Sequence, residues 1–222
     1  LTGSLVPWGD AVTYLLLLDH RPSVDGPWVA RRVSRGVALG NEQDEQRHLA
    51  SSIDAGRHVV QLGAWASKSV VGHSDDAAMA FDRGALAVAA QLVGLGRRML
   101  DITVDYVKER RQFGVPIGSQ QAVKHHLADV AKSLEFAAPA VYAAAWAIDA
   151  GDDQASRAVS TAKALASDAA RLAVRNTLQC HGAIGYTVEY DLHLYLKRAE
   201  ALSRAWGDAA WHRRRVAAAL GI

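Results

Sequence analysis

Residues 123–148, VKHHLADVAKSLEFAAPAVYAAAWAI, decide the fold. Apolar side chains fall at Val123, Leu127, Val130, Leu134, Ala137, Val141, Ala144 and Ile148, in steps that alternate four and three without a miss. That rhythm keeps one face of an α-helix apolar, and such a face must be buried against another element. Pro139 lies inside the run, where a ring in place of the N–H predicts a kink or a locally irregular turn.

The same grammar extends on both sides. Upstream, Leu86, Ala90, Val93, Leu100, Val104 and Val107 form one stripe; downstream, Ala158, Ala162, Leu165, Ala169 and Leu172 form another. Gly151 is a natural stop for the central helix, and Asp152 or Asp153 a natural N-cap for the next. Shorter helical stretches follow around Tyr190–Ala205 and Asp208–Leu220. Long helices joined by short loops predict an antiparallel helical bundle over residues 76–222, with many alanines allowing close approach.

Residues 1–75 follow a different pattern. Short β-rich runs at Thr13–Leu18, Trp28–Ala30 and Val59–Leu62 are punctuated by Gly, Pro, Ser and Asp. Pro7, Pro22 and Pro27 suit strand edges and turns and would break helices. The segment predicts part of a β domain, so the fold class is mostly α, with a partial β domain in front.

Composition bounds the function. The 222 residues are 50% hydrophobic and 22% charged, which excludes disorder and fibrous repeats. A net charge of +2, with the signs mixed along the chain, gives no electrostatic case for nucleic acid. Cys180 is the single cysteine, which excludes an internal disulfide and a thiolate metal site and predicts a reducing cytoplasm. The near-apolar run Phe136–Ile148 is too short to span a bilayer, so no membrane span is expected. The opening Leu1-Thr2-Gly3-Ser4 lacks the charged and apolar regions of a secretory signal.

No phosphate-binding loop, dinucleotide-binding glycine turn or nucleophile elbow occurs. His125 and His126 are adjacent, hence about 100° apart on a helix, and do not share a metal, so no metal site is expected. Two loops carry more information. Glu109-Arg110-Arg111-Gln112-Phe113-Gly114-Val115-Pro116-Ile117-Gly118, followed by Gln120-Gln121-Ala122, joins two amphipathic helices. It packs guanidinium, amide and aromatic groups into one turn. Guanidinium suits a phosphate and the ring suits a flat heterocycle, although a capped helix connection uses the same residues. Gln179-Cys180-His181-Gly182-Ala183-Ile184-Gly185-Tyr186-Thr187 ends the third helix. Its small residues admit a ligand to the backbone, or simply make a glycine cap and a turn.

Taken in order, these loops resemble the C-terminal half of the acyl-CoA dehydrogenase family. Phe81-Asp82, Leu127-Ala128-Asp129 and Leu194-Tyr195-Leu196-Lys197-Arg198-Ala199 extend the likeness. Leu1-Thr2-Gly3 and the Val60–Gly72 stretch resemble parts of the family's β domain more weakly. The resemblance implies FAD, an acyl-CoA substrate oxidised to the 2,3-enoyl-CoA in lipid or sterol-type catabolism, and an electron-transfer flavoprotein as acceptor. It also implies a homotetramer, or a heterotetramer with a homologous subunit. By position, Arg110 and Gln112 would meet the FAD of a neighbouring subunit, with Phe113 close by and Gln121 in the adjoining segment. Gln179, Gly182 and Ala183 would approach its adenosine–pyrophosphate part.

Departures from the family matter as much. The family's base is a carboxylate before a glycine in the last loop, where this chain has Trp206 before Gly207. The family's alternative position, on the first long helix, holds Gly84, and the arginine that often follows it is replaced by Ala85. Neither Gly nor Trp takes a proton. Asp208 is the nearest carboxylate, either a displaced base or the N-cap of the last helix. Two functions follow: a flavoenzyme with an unusual base, or a non-catalytic partner that lends FAD-binding residues to a catalytic homologue. A plain helical scaffold would have no use for the two loops.

Overall fold

The computed structural model describes residues 5–7, 14–20, 28–34, 49–50, 52–57, 59–61, 69–72 and 74–222. The chain divides into two compact units, Leu1–Phe81 and Asp82–Ile222. Leu1-Thr2-Gly3, Pro22 and Pro27 lie outside the described residues.

The first unit is antiparallel β. Strands β1 (Leu5–Pro7), β5 (Val59–Gln61) and β4 (Leu49–Ala50) form one sheet in the order β1-β5-β4. Strands β2 (Tyr14–His20), β3 (Trp28–Ser34) and β6 (Ser69–Gly72) form a second in the order β2-β3-β6. The β2–β3 register runs from Tyr14 opposite Ser34 to His20 opposite Trp28, and the β3–β6 ladder shifts between Ala30 and Arg31. Each expected β-rich run contains a strand, the first moved slightly toward the C-terminus.

The second unit is a helical bundle. Helix α1 (Ser74–Glu109) leads to a two-stranded hairpin of β7 (Arg111–Gln112) and β8 (Val115–Pro116). A 3-10 turn at Ile117–Ser119 follows, then α2 (Gln121–Asp149) and α3 (Ala155–His181). A second 3-10 turn at Gly182–Tyr186 precedes α4 (Leu192–Arg204) and α5 (Ala209–Leu220). By length and composition, the Asp76–Glu109 part of α1 is able to cross a membrane, which the sequence reading did not single out. Here its Ala85, Leu92 and Met99 are fully buried, as in a core helix.

On α2 the expected stripe is the buried one: Val130, Leu134, Ala137, Val141 and Ala144 are in the core. The helix runs on through Pro139, whose ring faces solvent. On α1 the stripe is displaced. Val93 and Val107 of the expected stripe are buried, in a line with Ala85, Val88, Ala89, Leu92, Met99 and Thr103, while Leu86, Leu100 and Val104 flank it and Ala90 is exposed. This helix has apolar residues on two faces, so periodicity alone does not choose between them.

Helix α3 departs furthest from its expected stripe. It packs on α2, α4 and α5 at once, so Val159, Ala162, Ala164, Ala166, Ala169, Ala170 and Ala173 are buried over most of its circumference, while Leu165, Arg171 and Arg175 are exposed on the remaining side. Gly151, at φ +64°, ends α2 as expected. The N-cap of α3, however, is Gln154 rather than Asp152 or Asp153. Asp152 Oδ1 is already taken by the Gln154 N–H at 2.8 Å, one turn too early to cap the helix.

A polar staple joins three helices. Arg215 of α5 donates to both carboxylate oxygens of Asp82 on α1, and to Ser156 Oγ at 3.1 Å and Ser160 Oγ at 3.2 Å on α3. Asp82 is buried, so this pairing satisfies a charge that would otherwise be costly.

Candidate functional site: an open end and a closed turn

The two loops singled out in the sequence rise from one cluster. Val107, Ile117 and Cys180 form a buried knot with Tyr106, Val123 and Leu127 packed against it. Above it, the Tyr106 and His181 rings stack at 4.3 Å and Tyr190 lies edge-on to Tyr106 at 5.7 Å. Asn176 Nδ2 of α3 donates to the His126 carbonyl of α2 at 3.0 Å, which fixes the two helices side by side beneath the loops.

The hairpin is a tight one. Gln112 pairs with Val115, and the intervening Phe113 and Gly114 sit at φ +53° and φ +83°. Positive φ at both central residues gives a turn whose twist matches its strands. Glycine takes that conformation freely; phenylalanine does so at a cost on the order of 1–3 kcal/mol. The strained residue is 94% exposed, so its side chain gains little from packing that would offset the strain. Arg110, Arg111 and Gln112 are also exposed. Arg111 Nη1 reaches the Gly114 carbonyl at 3.5 Å, but Arg110 has no ion-pair partner among the described residues. Gln121, at the start of α2, donates through Nε2 to His125 Nε2 at 3.1 Å.

The second loop is open in the same way. Gly182, at φ +67°, caps α3, and a Cβ built there would meet nothing within 4 Å. Gln179, Gly182 and Ala183 are all exposed. The buried His181 donates Nδ1–H to the Thr177 carbonyl at 2.8 Å, which leaves Nε2 as an acceptor with no partner. Burial pushes this imidazole below its usual pKa and so favours the neutral ring. A free guanidinium, a bare aromatic face, amides and an unobstructed glycine backbone fit an anionic cofactor with flat rings. The residue set therefore suits FAD.

The base positions look entirely different. Trp206, in the turn between α4 and α5, has φ +55°, and the following Gly207 has φ +85°. A Cβ added at Gly84 would lie 2.6 Å from the Trp206 ring atoms Cη2 and Cζ3, so the indole lies directly on the glycine of α1. The two positions at which the family resemblance places a carboxylate are thus neighbours, and each is complementary to the other. Gly207 has no room for a side chain either: its Cβ would meet Trp211 at 2.8 Å and His212 at 2.9 Å. Asp208 Oδ1 accepts the Trp211 N–H at 2.7 Å, making Asp208 the N-cap of α5.

Sequence reasoning missed the residues that hold this turn. Lys163, fully buried in α3, donates to Ser167 Oγ at 3.0 Å, the Ser203 carbonyl at 3.2 Å and the Gly207 carbonyl at 3.0 Å. Loss of solvent pushes its pKa down to about 8, against a smaller pull upward from Asp208. His212, also fully buried, donates Nε2–H to the Trp206 carbonyl at 2.8 Å. Its pKa falls to about 4, chiefly through burial. The available signal was a lysine flanked by Ala162 and Ala164, a charge set into an apolar stripe. Among the described residues, no cluster of three or more His, Cys, Asp or Glu side chains is placed to hold a metal.

The profile of the acyl-CoA dehydrogenase C-terminal domain matches residues 74–221. The acyl-CoA dehydrogenase IpdE2 of Mycobacterium tuberculosis is 43% identical over 118 residues, a match covering 53% of this chain and 35% of that protein. A Tcur3481–Tcur3483 steroid ACAD variant is 26% identical with a TM-score of 0.81, covering 99% of this chain and 59% of that one. The ChsE4–ChsE5 complex from Mycobacterium tuberculosis shares the fold at 24% identity and a TM-score of 0.78, covering 99% of this chain and 59% of that one. The chain therefore spans about a third of the length of its curated relative and three-fifths of the solved structures.

Proposed function

The chain belongs to the acyl-CoA dehydrogenase family, and we propose that it is a subunit of an FAD-dependent assembly that oxidises an acyl-CoA to its 2,3-enoyl-CoA. The observation that carries this reading is the open end of the bundle. Arg110, Gln112 and a strained, bare Phe113 stand outward beside Gln179, Gly182 and Ala183. Groups held this way serve a ligand shared with another chain better than one enclosed by their own. Arg110 would balance phosphate charge, Phe113 would cover a ring, and the Gln112, Gln121 and Gln179 amides would bond ring or ribose edges. When bound, FAD supplies the acceptor for the hydride leaving the substrate β-carbon. A homologous subunit and an electron-transfer flavoprotein are the partners this implies.

The α2 surface supports assembly. Phe136, Tyr142 and Trp146 are 72%, 67% and 66% exposed and fall with Pro139 and Ala143 on one side of the helix. Large aromatic side chains grouped in this way mark an interaction face. The solved steroid ACAD favours a bulky lipid or sterol-type acyl group as the substrate of the assembly.

A second reading, favoured by the contact between Trp206 and Gly84, makes this chain the non-catalytic partner in a heteromeric enzyme. Removal of the substrate α-proton needs a base aimed at it. Indole and glycine supply none, and the Asp208 carboxylate is engaged as a helix cap. On this reading the chain completes the flavin site of a catalytic homologue.

The deciding experiment is an anaerobic acyl-CoA titration of the full-length protein, purified alone, followed by flavin absorbance. Bleaching of bound flavin identifies a complete dehydrogenase, and an Asp208→Asn variant then tests whether that carboxylate is its base. Flavin that is absent, or bleaches only after a homologous subunit is added, identifies the partner. Flavin retention by the assembly that survives Arg110→Ala unchanged overturns the assignment of that residue under both readings.

A further inference from the structure

We propose that Lys163, through its hydrogen bonds to the backbone around the turn, is the positioning residue that holds Trp206 over Gly84, and so fixes what stands where the family carries its base. The inference deepens the partner reading above but rests on the turn's own geometry.

The turn hangs from side-chain donors. The Ser203 carbonyl belongs to the last turn of α4, where helical carbonyls have no partner further along the helix and carry the negative end of the helix dipole. Lys163 reaches it from α3 at 3.2 Å and in the same stroke takes the Gly207 carbonyl at 3.0 Å. Its third N–H goes to Ser167 Oγ at 3.0 Å, so the ammonium's three donors meet three acceptors. His212 of α5 takes the carbonyl between them, that of Trp206, at 2.8 Å. The successive carbonyls of Trp206 and Gly207 are therefore fixed by groups from two helices.

Two consecutive residues in the left-handed region need such a restraint. Trp206 at φ +55° is not a conformation that tryptophan adopts by preference, and it sends the indole back onto α1 instead of outward. Without the lysine, the α4 carbonyl and the Gly207 carbonyl lose their buried donors, and the turn is free to relax to negative φ with the indole lifted off Gly84. A hydrophobic residue at 163 would fill the slot but supply no donor. That explains a buried charge set between the buried Ala162 and Ala164.

The test uses the full chain labelled with 5-fluorotryptophan and read by fluorine NMR, with the Trp206 signal assigned from its loss in Trp206→Phe. Lys163→Met keeps an unbranched apolar stem, one atom shorter than lysine, and removes all three donors. Lys163→Gln retains an amide but stops one atom short, which makes it the variant more apt to fold. In both, the Trp206 signal is expected to shift and broaden while that of Trp146, on the far surface of α2, stays in place as the check on folding. Ser167→Ala, which removes the acceptor within α3 and a long donation from Ser167 Oγ to the Ser203 carbonyl at 3.5 Å but leaves both lysine bonds to the turn, is expected to leave Trp206 unmoved. Gly84→Ala displaces the indole directly and supplies the reference position for a lifted ring. A folded Lys163→Gln or Lys163→Met chain with an unmoved Trp206 signal overturns the proposal. The readout needs neither flavin nor substrate, so a failed flavin assignment and a failed clamp give different results.

Discussion

The hairpin end and the 203–208 turn both contain a large aromatic residue at positive φ, and they use it in opposite ways. Phe113 is strained and bare, with its chain neighbours Arg110, Arg111 and Gln112 also in solvent. Trp206 is strained but 41% exposed, seated on Gly84 and held by the donors of Lys163 and His212. Strain that is retained with little internal packing to offset it points to an external ligand. Strain that internal hydrogen bonds offset points to a fixed wall. On the proposed function, the chain offers one half-site outward and walls off another.

Acidification attacks the closed turn most strongly. The unfolded chain protonates its histidine near 6.5, while the folded state resists protonation of His212 until about 4. Stability from this residue is complete above pH 6.5 and falls as pH drops toward 4, by about 3 kcal/mol. Urea melts of the wild type across that window, set against His212→Phe, should show a pH slope that the variant loses. An equal slope in both breaks the view that the turn is sealed around a neutral imidazole.

Next in size is the open end. Arg110→Ala should weaken flavin retention in the assembly about thirtyfold, as expected for one lost charge-assisted contact of about 2 kcal/mol. The same variant should leave the thermal midpoint of the chain unchanged, because the guanidinium is exposed and has no ion-pair partner among the described residues. Equilibrium dialysis and calorimetry on one preparation separate the two effects.

Gly84 sharpens the contrast further. Gly84→Ala should destabilise the chain by about 1–2 kcal/mol, since the new methyl meets the indole at 2.6 Å. In a Trp206→Ala background the same change should stabilise by up to about 1 kcal/mol, because alanine favours helix and the obstruction is gone. That reversal of sign in a double-mutant cycle measures the contact itself. The smallest effect belongs to Phe113→Ala, expected to alter stability by no more than about 0.5 kcal/mol. A larger loss in the isolated chain would mean that the ring packs internally after all.

Much of the bundle was legible because its signal is repetitive. The stripe from Val123 to Ile148 names its own buried face, and Gly151 marks the end of the helix. On α1 two apolar faces compete, and on α3 burial over most of the circumference widens the stripe past recognition, so period alone could not choose. The cap at Gln154 was hidden because Asp152 spends its carboxylate on the preceding turn. The candidate FAD residues were legible as motifs, since small and charged residues in a loop are locally unusual.

The sequence by itself determined the family, the helical register of α2 and the absence of an acid at both Gly84 and Trp206. These are properties of residue identity and local spacing, and no folding is needed to read them. Only the tertiary structure decided that Gly84 and Trp206, 122 positions apart in the chain, share one contact. It alone set Lys163 beneath a turn more than forty positions away. Contacts of that kind arise when three helices bury one another's faces, and a side chain's meaning then depends on what the other helices bring to it.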